Sequence, residues 1–111
     1  MQTSPRKLWR SWGDAVLARV SMPIRSTITF EGRVQGVGFR ATTRDIADGF
    51  AVAGFVRNQA DGSVLCVIEG EGGEIDRFLN EVRRTMAGCI EGEDMHESPA
   101  TGEFDGFGVR R

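Results

Sequence analysis

The chain reads as an α+β domain in the order β-α-β-β-α-β, with two helices on one face of a mostly antiparallel sheet and one more short strand near the C-terminus. Three observations predict this. Apolar residues alternate with a period of two from Ile24 to Val34, two later segments carry helical stripes at three- and four-residue spacing, and Ala60-Asp61-Gly62 marks a turn between two short β-type runs. Laying both helices on one sheet face, the split βαβ or ferredoxin-like arrangement, buries both stripes at once.

Residues 1–23 are read as an extension and residues 24–111 as the domain. The extension sets Arg6, Lys7, Arg10 and Arg19 against Asp14 and holds both tryptophans, Trp9 and Trp12. Leu8, Trp12, Val16 and Val20 could share a helical face, but the expectation is a frayed, flexible leader, with Met22 as an alternative start. In the domain, Ile28, Phe30, Gly32 and Val34 alternate with Thr27, Thr29, Glu31 and Arg33, as in a half-buried strand. Phe39, Thr43, Ile46, Ala47 and Phe50 predict an amphipathic helix from about Phe39 to Asp48, closed by Gly49. Val52–Asn58 and Ser63–Glu69 then form a hairpin. Gly70–Gly73 is expected to be a flexible break. Ile75, Phe78, Leu79, Val82 and Met86 predict a second helix over Gly73–Met86. Glu91, Glu93, Asp94 and Glu97 crowd Cys89–Glu97, which suits a solvated edge strand whose charges discourage edge-to-edge pairing. Ser98–Gly102 reads as a loop and Phe104–Arg110 as the last strand.

At 111 residues the chain is sized for one domain with a modest core. Its net charge of −2 argues against a nucleic-acid partner, which would need a basic face with interleaved aromatics. No apolar run approaches the roughly 18 residues of a membrane-spanning helix. Asp14 and Arg19 interrupt the only stretch that could serve as an export signal, so a cytoplasmic location is expected; a monomer is the default expectation, which no residue pattern fixes. Cys66 and Cys89, far apart and outside any CxxC or Cys/His cluster, read as reduced thiols.

The chemistry concentrates in Gly36-Val37-Gly38-Phe39-Arg40. A strand that empties into a glycine-bearing turn and then a helix leaves unpaired N–H groups beside a guanidinium, and together these receive oxyanions. The helix dipole favours phosphate, and the arginine fork matches phosphate oxygens bidentately. The run also fits G-x-G-x-x-[GA], but the acid that should hold a ribose some 20 residues on would be Asp61, which sits in a hairpin turn. No G-K-[ST] follows, so a Walker A loop is absent. No carboxylate pair, Ser/His/Asp set or metal-ligand cluster competes. Arg33 and Arg57 fall on polar faces and His96 in an acidic edge segment, so all three read as surface groups.

Gly32-Arg33-Val34-Gln35-Gly36-Val37-Gly38-Phe39-Arg40 resembles the glycine-rich loop signature of the acylphosphatase family. Gly54-Phe55-Val56-Arg57-Asn58 is similar to that family's second signature, with Phe55 where relatives often carry tryptophan. The Asp61-Gly62-Ser63-Val64 turn and Thr101-Gly102-Glu103-Phe104 also resemble the family's, so the likeness spans about residues 24 to 111. The resemblance implies hydrolysis of the carboxyl–phosphate bond of acyl phosphates, with Arg40 as the catalytic arginine and Asn58 orienting water. It implies a phosphate bound by loop N–H groups from Gln35, Gly36, Val37, Gly38, Phe39 and Arg40, with inorganic phosphate as product or inhibitor. Phosphoryl transfer needs in-line positioning and charge stabilisation, which N–H groups and one guanidinium supply, so no cofactor or metal is expected. The alternative is a non-catalytic module of the same family that binds an anion or a protein. An RNA-recognition module would need more aromatics on the central strands than Phe30 and Phe55.

Overall fold

The protein is described from a computed structural model, of which residues 17–111 are described. Most of the predicted extension, including Trp9, Trp12 and the proposed stripe up to Val16, lies outside the described residues.

The domain contains β1 (Pro23–Gly32), α1 (Phe39–Ala47), β2 (Ala53–Asn58), β3 (Val64–Glu71), α2 (Gly72–Thr85), β4 (Ile90–Pro99) and β5 (Phe107–Arg110). The strands form one sheet in the order β4-β1-β3-β2-β5, in which only β5 against β2 is a parallel pair. Alternation along β1 buries Ser26, Ile28 and Phe30. Ile28 and Phe30 meet Val56 of β2, Val64, Cys66 and Ile68 of β3, and the inner stripes of both helices, so the two helices share one sheet face. Phe30 and Phe39 lie with ring centroids 5.2 Å apart, which anchors the start of α1 in the core.

Several boundaries differ from the sequence reading. β1 stops at Gly32 rather than Val34, because the register against β4 shifts between Glu31 and Gly32 and the chain leaves the sheet there. The expected break at Gly70–Gly73 is absent: β3 continues to Glu71 and α2 begins at Gly72. Gly72 serves a close approach instead, since a Cβ there would lie 2.0 Å from the carbonyl oxygen of Arg19. Residues 17–21 are helical and lie against that point. Arg19 reaches both carboxylate oxygens of Asp76 at 2.8 and 3.0 Å, and also Glu97. Gly49 does not take the left-handed backbone of a glycine cap; the last turn of α1 tightens through Gly49 N–H to Ile46 O at 3.0 Å and Phe50 N–H to Ala47 O at 3.1 Å. β4 runs on through Ser98 to Pro99 because it pairs with β1 as far as Ile24. β5 starts at Phe107, not Phe104, because Phe104 folds over the outer sheet face onto Phe55.

That outer face is closed by the loop from Ala100 to Gly106. Glu69 accepts hydrogen bonds from Arg25 Nε at 2.7 Å, from the N–H groups of Thr101 and Gly102 at 2.9 Å, and from the Thr101 hydroxyl at 2.9 Å. The Arg110 guanidinium stacks 4.0 Å from the Phe55 ring. Arg57 stands over the same ring, so it is less free a surface charge than its alternation suggests.

Candidate active site

β1 and β2 both run antiparallel to the central β3, so they point the same way and end at the same end of the sheet. The register makes this close: Phe30 pairs with Val64, and Val64 pairs with Asn58. β5 runs parallel to β2, with Arg57 opposite Arg110, so its C-terminal end arrives there too. The glycine-bearing loop after β1, the first turn of α1, Asn58 and the end of β5 therefore converge.

In the loop, Gly36 and Gly38 have φ of 75° and 77°, the left-handed region that other residues adopt only under strain. Gly38 is the N-cap of α1 and no side chain caps the helix. The first intrahelical bond runs from Thr42 N–H to Gly38 O at 2.9 Å, so the preceding N–H groups have no partner within the helix. The helix start borders a cavity of about 220 Å³ lined by Gly36, Gly38, Phe39, Arg40 and Ala41 together with Asn58, Val34 and Val109. The positive end of the helix faces this space.

Arg40 is half-buried, and its Nη1 donates to the Arg110 carbonyl at 3.1 Å. Asn58 Oδ1 is buried and has no hydrogen-bond partner within the protein. An amide oxygen out of water without a donor is costly, by about 1–3 kcal/mol, and persists where something polar is to be received. Asn58 is not the group that closes the hairpin. The turn is closed by Gln59 N–H to Ser63 O at 2.9 Å and by Asp61, whose carboxylate accepts the Ser63 hydroxyl at 2.6 Å and the Ser63 N–H at 3.0 Å. The Ser63 hydroxyl and N–H hold the Asp61 carboxyl below its ordinary value.

The structure thus brings together Gly36, Gly38, Phe39, Arg40 and Asn58. It does not bring Gln35 or Val37 into the cavity wall. Val37 turns its side chain to solvent, and the side chain of Phe39 belongs to the core, which leaves its N–H for the cavity. The Gln35 side chain leaves the loop for the β2–β3 turn. Ala41, Val34 and Val109 complete the wall without having been singled out from sequence. For Val34 a signal existed, as the last member of the β1 alternation; for Val109 none did, because its position depends on which neighbour β5 pairs with.

Among the described residues no group of three His, Cys, Asp or Glu side chains is arranged to hold a metal ion, and no helix is long and apolar enough to cross a membrane. Burial pushes the Cys66 thiol up, out of reach of ionisation near neutrality. His96 is exposed on β4, opposite Thr27 and at the far side of β1 from β2, so it takes no part in the cavity.

A family model described as Acylphosphatase matches residues 26–109. An acylphosphatase of Paenarthrobacter aurescens (strain TC1) is 44% identical over 87 residues, which cover 78% of this chain and 93% of the relative. One from Geotalea uraniireducens (strain Rf4) is 36% identical over 89 residues, covering 79% and 98%. Among solved structures, the crystal structure of acylphosphatase from Bacillus subtilis superposes with a TM-score of 0.71 at 28% identity, over 79% of this chain and 99% of that one.

Proposed function

The chain belongs to the acylphosphatase family, and from that premise we propose that the N–H groups at the start of α1, Arg40 and Asn58 carry out the hydrolysis of an acyl phosphate. The protein is a hydrolase that cleaves the carboxyl–phosphate bond to a carboxylate and inorganic phosphate. In our reading the loop and helix N–H groups and the Arg40 fork take the non-bridging phosphate oxygens, which fixes the phosphorus and offsets charge as the bridging bond loosens. Asn58 Oδ1 accepts one hydrogen bond from a water and holds it opposite the leaving carboxylate. Water oxygen bonds to phosphorus, the carboxyl oxygen departs with the bond pair, and the water proton passes to the phosphate oxygens. A carboxylate is a good leaving group, so no strong base is needed.

The observation that carries this assignment is that Asn58, whose buried Oδ1 has no partner within the protein, lines the same cavity as Arg40 and the uncapped helix start. The test is hydrolysis of an aryl acyl phosphate, followed by ultraviolet absorbance, by Arg40→Ala and Asn58→Ala. Each should lose on the order of 10²–10³ in turnover while keeping native circular dichroism. Only Arg40→Ala should also weaken inhibition by inorganic phosphate, and Arg40→Lys should not rescue, because an ammonium lacks the planar fork. Activity should persist in a chelator. Near-normal hydrolysis by either alanine variant would remove the assignment, and phosphate binding without turnover by the native chain would turn the reading to an anion-binding module. The unpaired thiols of Cys66 and Cys89 support placing the protein in the reducing cytoplasm.

A further inference from the structure

Within the proposed phosphate-binding set, the side chain of Gln35 crosses from the loop to the β2–β3 turn. Its Nε2 donates to the Gln59 carbonyl at 2.8 Å and to the Ser63 carbonyl at 2.9 Å. Both acceptors belong to the turn that begins immediately after Asn58. The turn is itself stiffened: Gln59 Nε2 donates to the Ser63 hydroxyl at 2.9 Å, and that hydroxyl donates to Asp61. The loop that presents the cradle is thereby tied by one half-buried amide to the segment that presents Asn58.

The tie is not needed to close the turn. The Gln59 carbonyl already accepts Gly62 N–H at 3.1 Å, and the Ser63 carbonyl already accepts Gln59 N–H at 2.9 Å. Each carbonyl has two lone pairs, so removing Gln35 leaves neither acceptor orphaned and should change stability little. What is lost is the relative placement of loop and turn. Between the buried Val34 and Phe39 the loop has little else to hold it: Gly36, Val37 and Gly38 are exposed, and a Cβ added at Gly36 or Gly38 would touch nothing within 4 Å. An in-line attack is sensitive to that placement, because a shift of about 1 Å between reacting groups can cost about 10²-fold in rate.

We propose that the side chain of Gln35 is a positioning residue of this enzyme, setting the distance between the phosphate cradle and Asn58. This rests on the roles given above to Arg40 and Asn58. It differs from a binding role: phosphate is held by groups on the loop side alone, so loosening the tie should leave phosphate affinity and impair the attack.

The test is Gln35→Met, which keeps length and removes both donors, alongside Asn58→Ala and the double variant, with the aryl acyl phosphate as substrate and inorganic phosphate as inhibitor. Gln35→Met should lower kcat about tenfold, change KM and phosphate inhibition by less than about threefold, and leave the unfolding midpoint close to native. In the Asn58→Ala background the same substitution should cost little more, because the group it positions is gone. Gln35→Glu, which sets a carboxylate against two carbonyl oxygens, should lose more turnover than Gln35→Met. Unaltered kcat in Gln35→Met beside an inactive Asn58→Ala would overturn the proposal alone. So would a tenfold loss that persists undiminished in the double variant, or a loss of phosphate affinity equal to the loss of kcat. Native turnover in Asn58→Ala would instead overturn the reading on which the proposal stands.

Discussion

Replacing Glu69 by glutamine removes one negative charge from the outer sheet face and changes little in volume. The Glu69 carboxyl is 7% exposed and sits at about 2, against 4.5 for an open chain. Desolvation alone would raise it; the N–H groups of Thr101 and Gly102, the Arg25 guanidinium and the Thr101 hydroxyl outweigh that and pull it down. Such a difference corresponds to about 3 kcal/mol of stability at neutral pH. Glu69 lies under a single loop rather than in the core, so nearby water brings the figure to about 2 kcal/mol. Glutamine can keep its oxygen toward the three donors around Oε2, but its NH₂ then faces Gly102 N–H, where Oε1 accepted at 2.9 Å. A loss of about 2 kcal/mol in a domain of this size lowers the unfolding midpoint by roughly 8–16 °C at pH 7. The folded-state value lies below the open-chain value, so the contribution is complete above about pH 5 and is lost as pH falls from there toward 2. Thermal and urea unfolding of both proteins at pH 7, 5, 4 and 3 should give curves that converge on acidification. Activity per folded molecule should hold, since Glu69 is five residues along β3 from Val64, the partner of Asn58, roughly 16 Å away. A midpoint difference under about 2 °C at pH 7, or one that does not shrink with acid, would refute the reasoning.

Arg19→Ala should cost about 1 kcal/mol, because its bidentate link to Asp76 and its contact with Glu97 are partly exposed, and should leave kcat/KM unchanged; urea unfolding and the hydrolysis assay check both halves. Gly72→Ala should lower stability even though alanine is the better helix former, because its Cβ would strike the Arg19 carbonyl; a neutral or stabilising effect in the full chain would show that the 17–21 segment yields freely. An aromatic disulfide reagent should modify one thiol of the native protein, half-buried Cys89, and reach Cys66 only on unfolding, since Cys66 is wholly buried and burial raises its thiol.

The element order, the inner faces of β1 and both helices, and the residues of the two signatures were legible in the sequence, because each rests on local periodicity or on a run of neighbours. Gly36 and Gly38 announced a glycine-bearing turn before a helix, and with it an oxyanion receptor, since that chemistry is carried by backbone within a few residues. What only the tertiary structure decided depends on pairing across the chain. Arg40 and Asn58 meet because β1 and β2 both run antiparallel to β3 in one register. Val109 reaches the cavity because β5 joins β2 in parallel, and Gln35 serves the hairpin as well as the loop because those two segments are brought side by side. Glu69 reads in sequence as an ordinary strand end, and the absence of a break at Gly70–Gly73 is equally hidden there. The first becomes the anchor of the Thr101–Gly102 loop and the second a site of close approach only when segments 32 and 53 residues distant pack against them, contacts that no local pattern encodes.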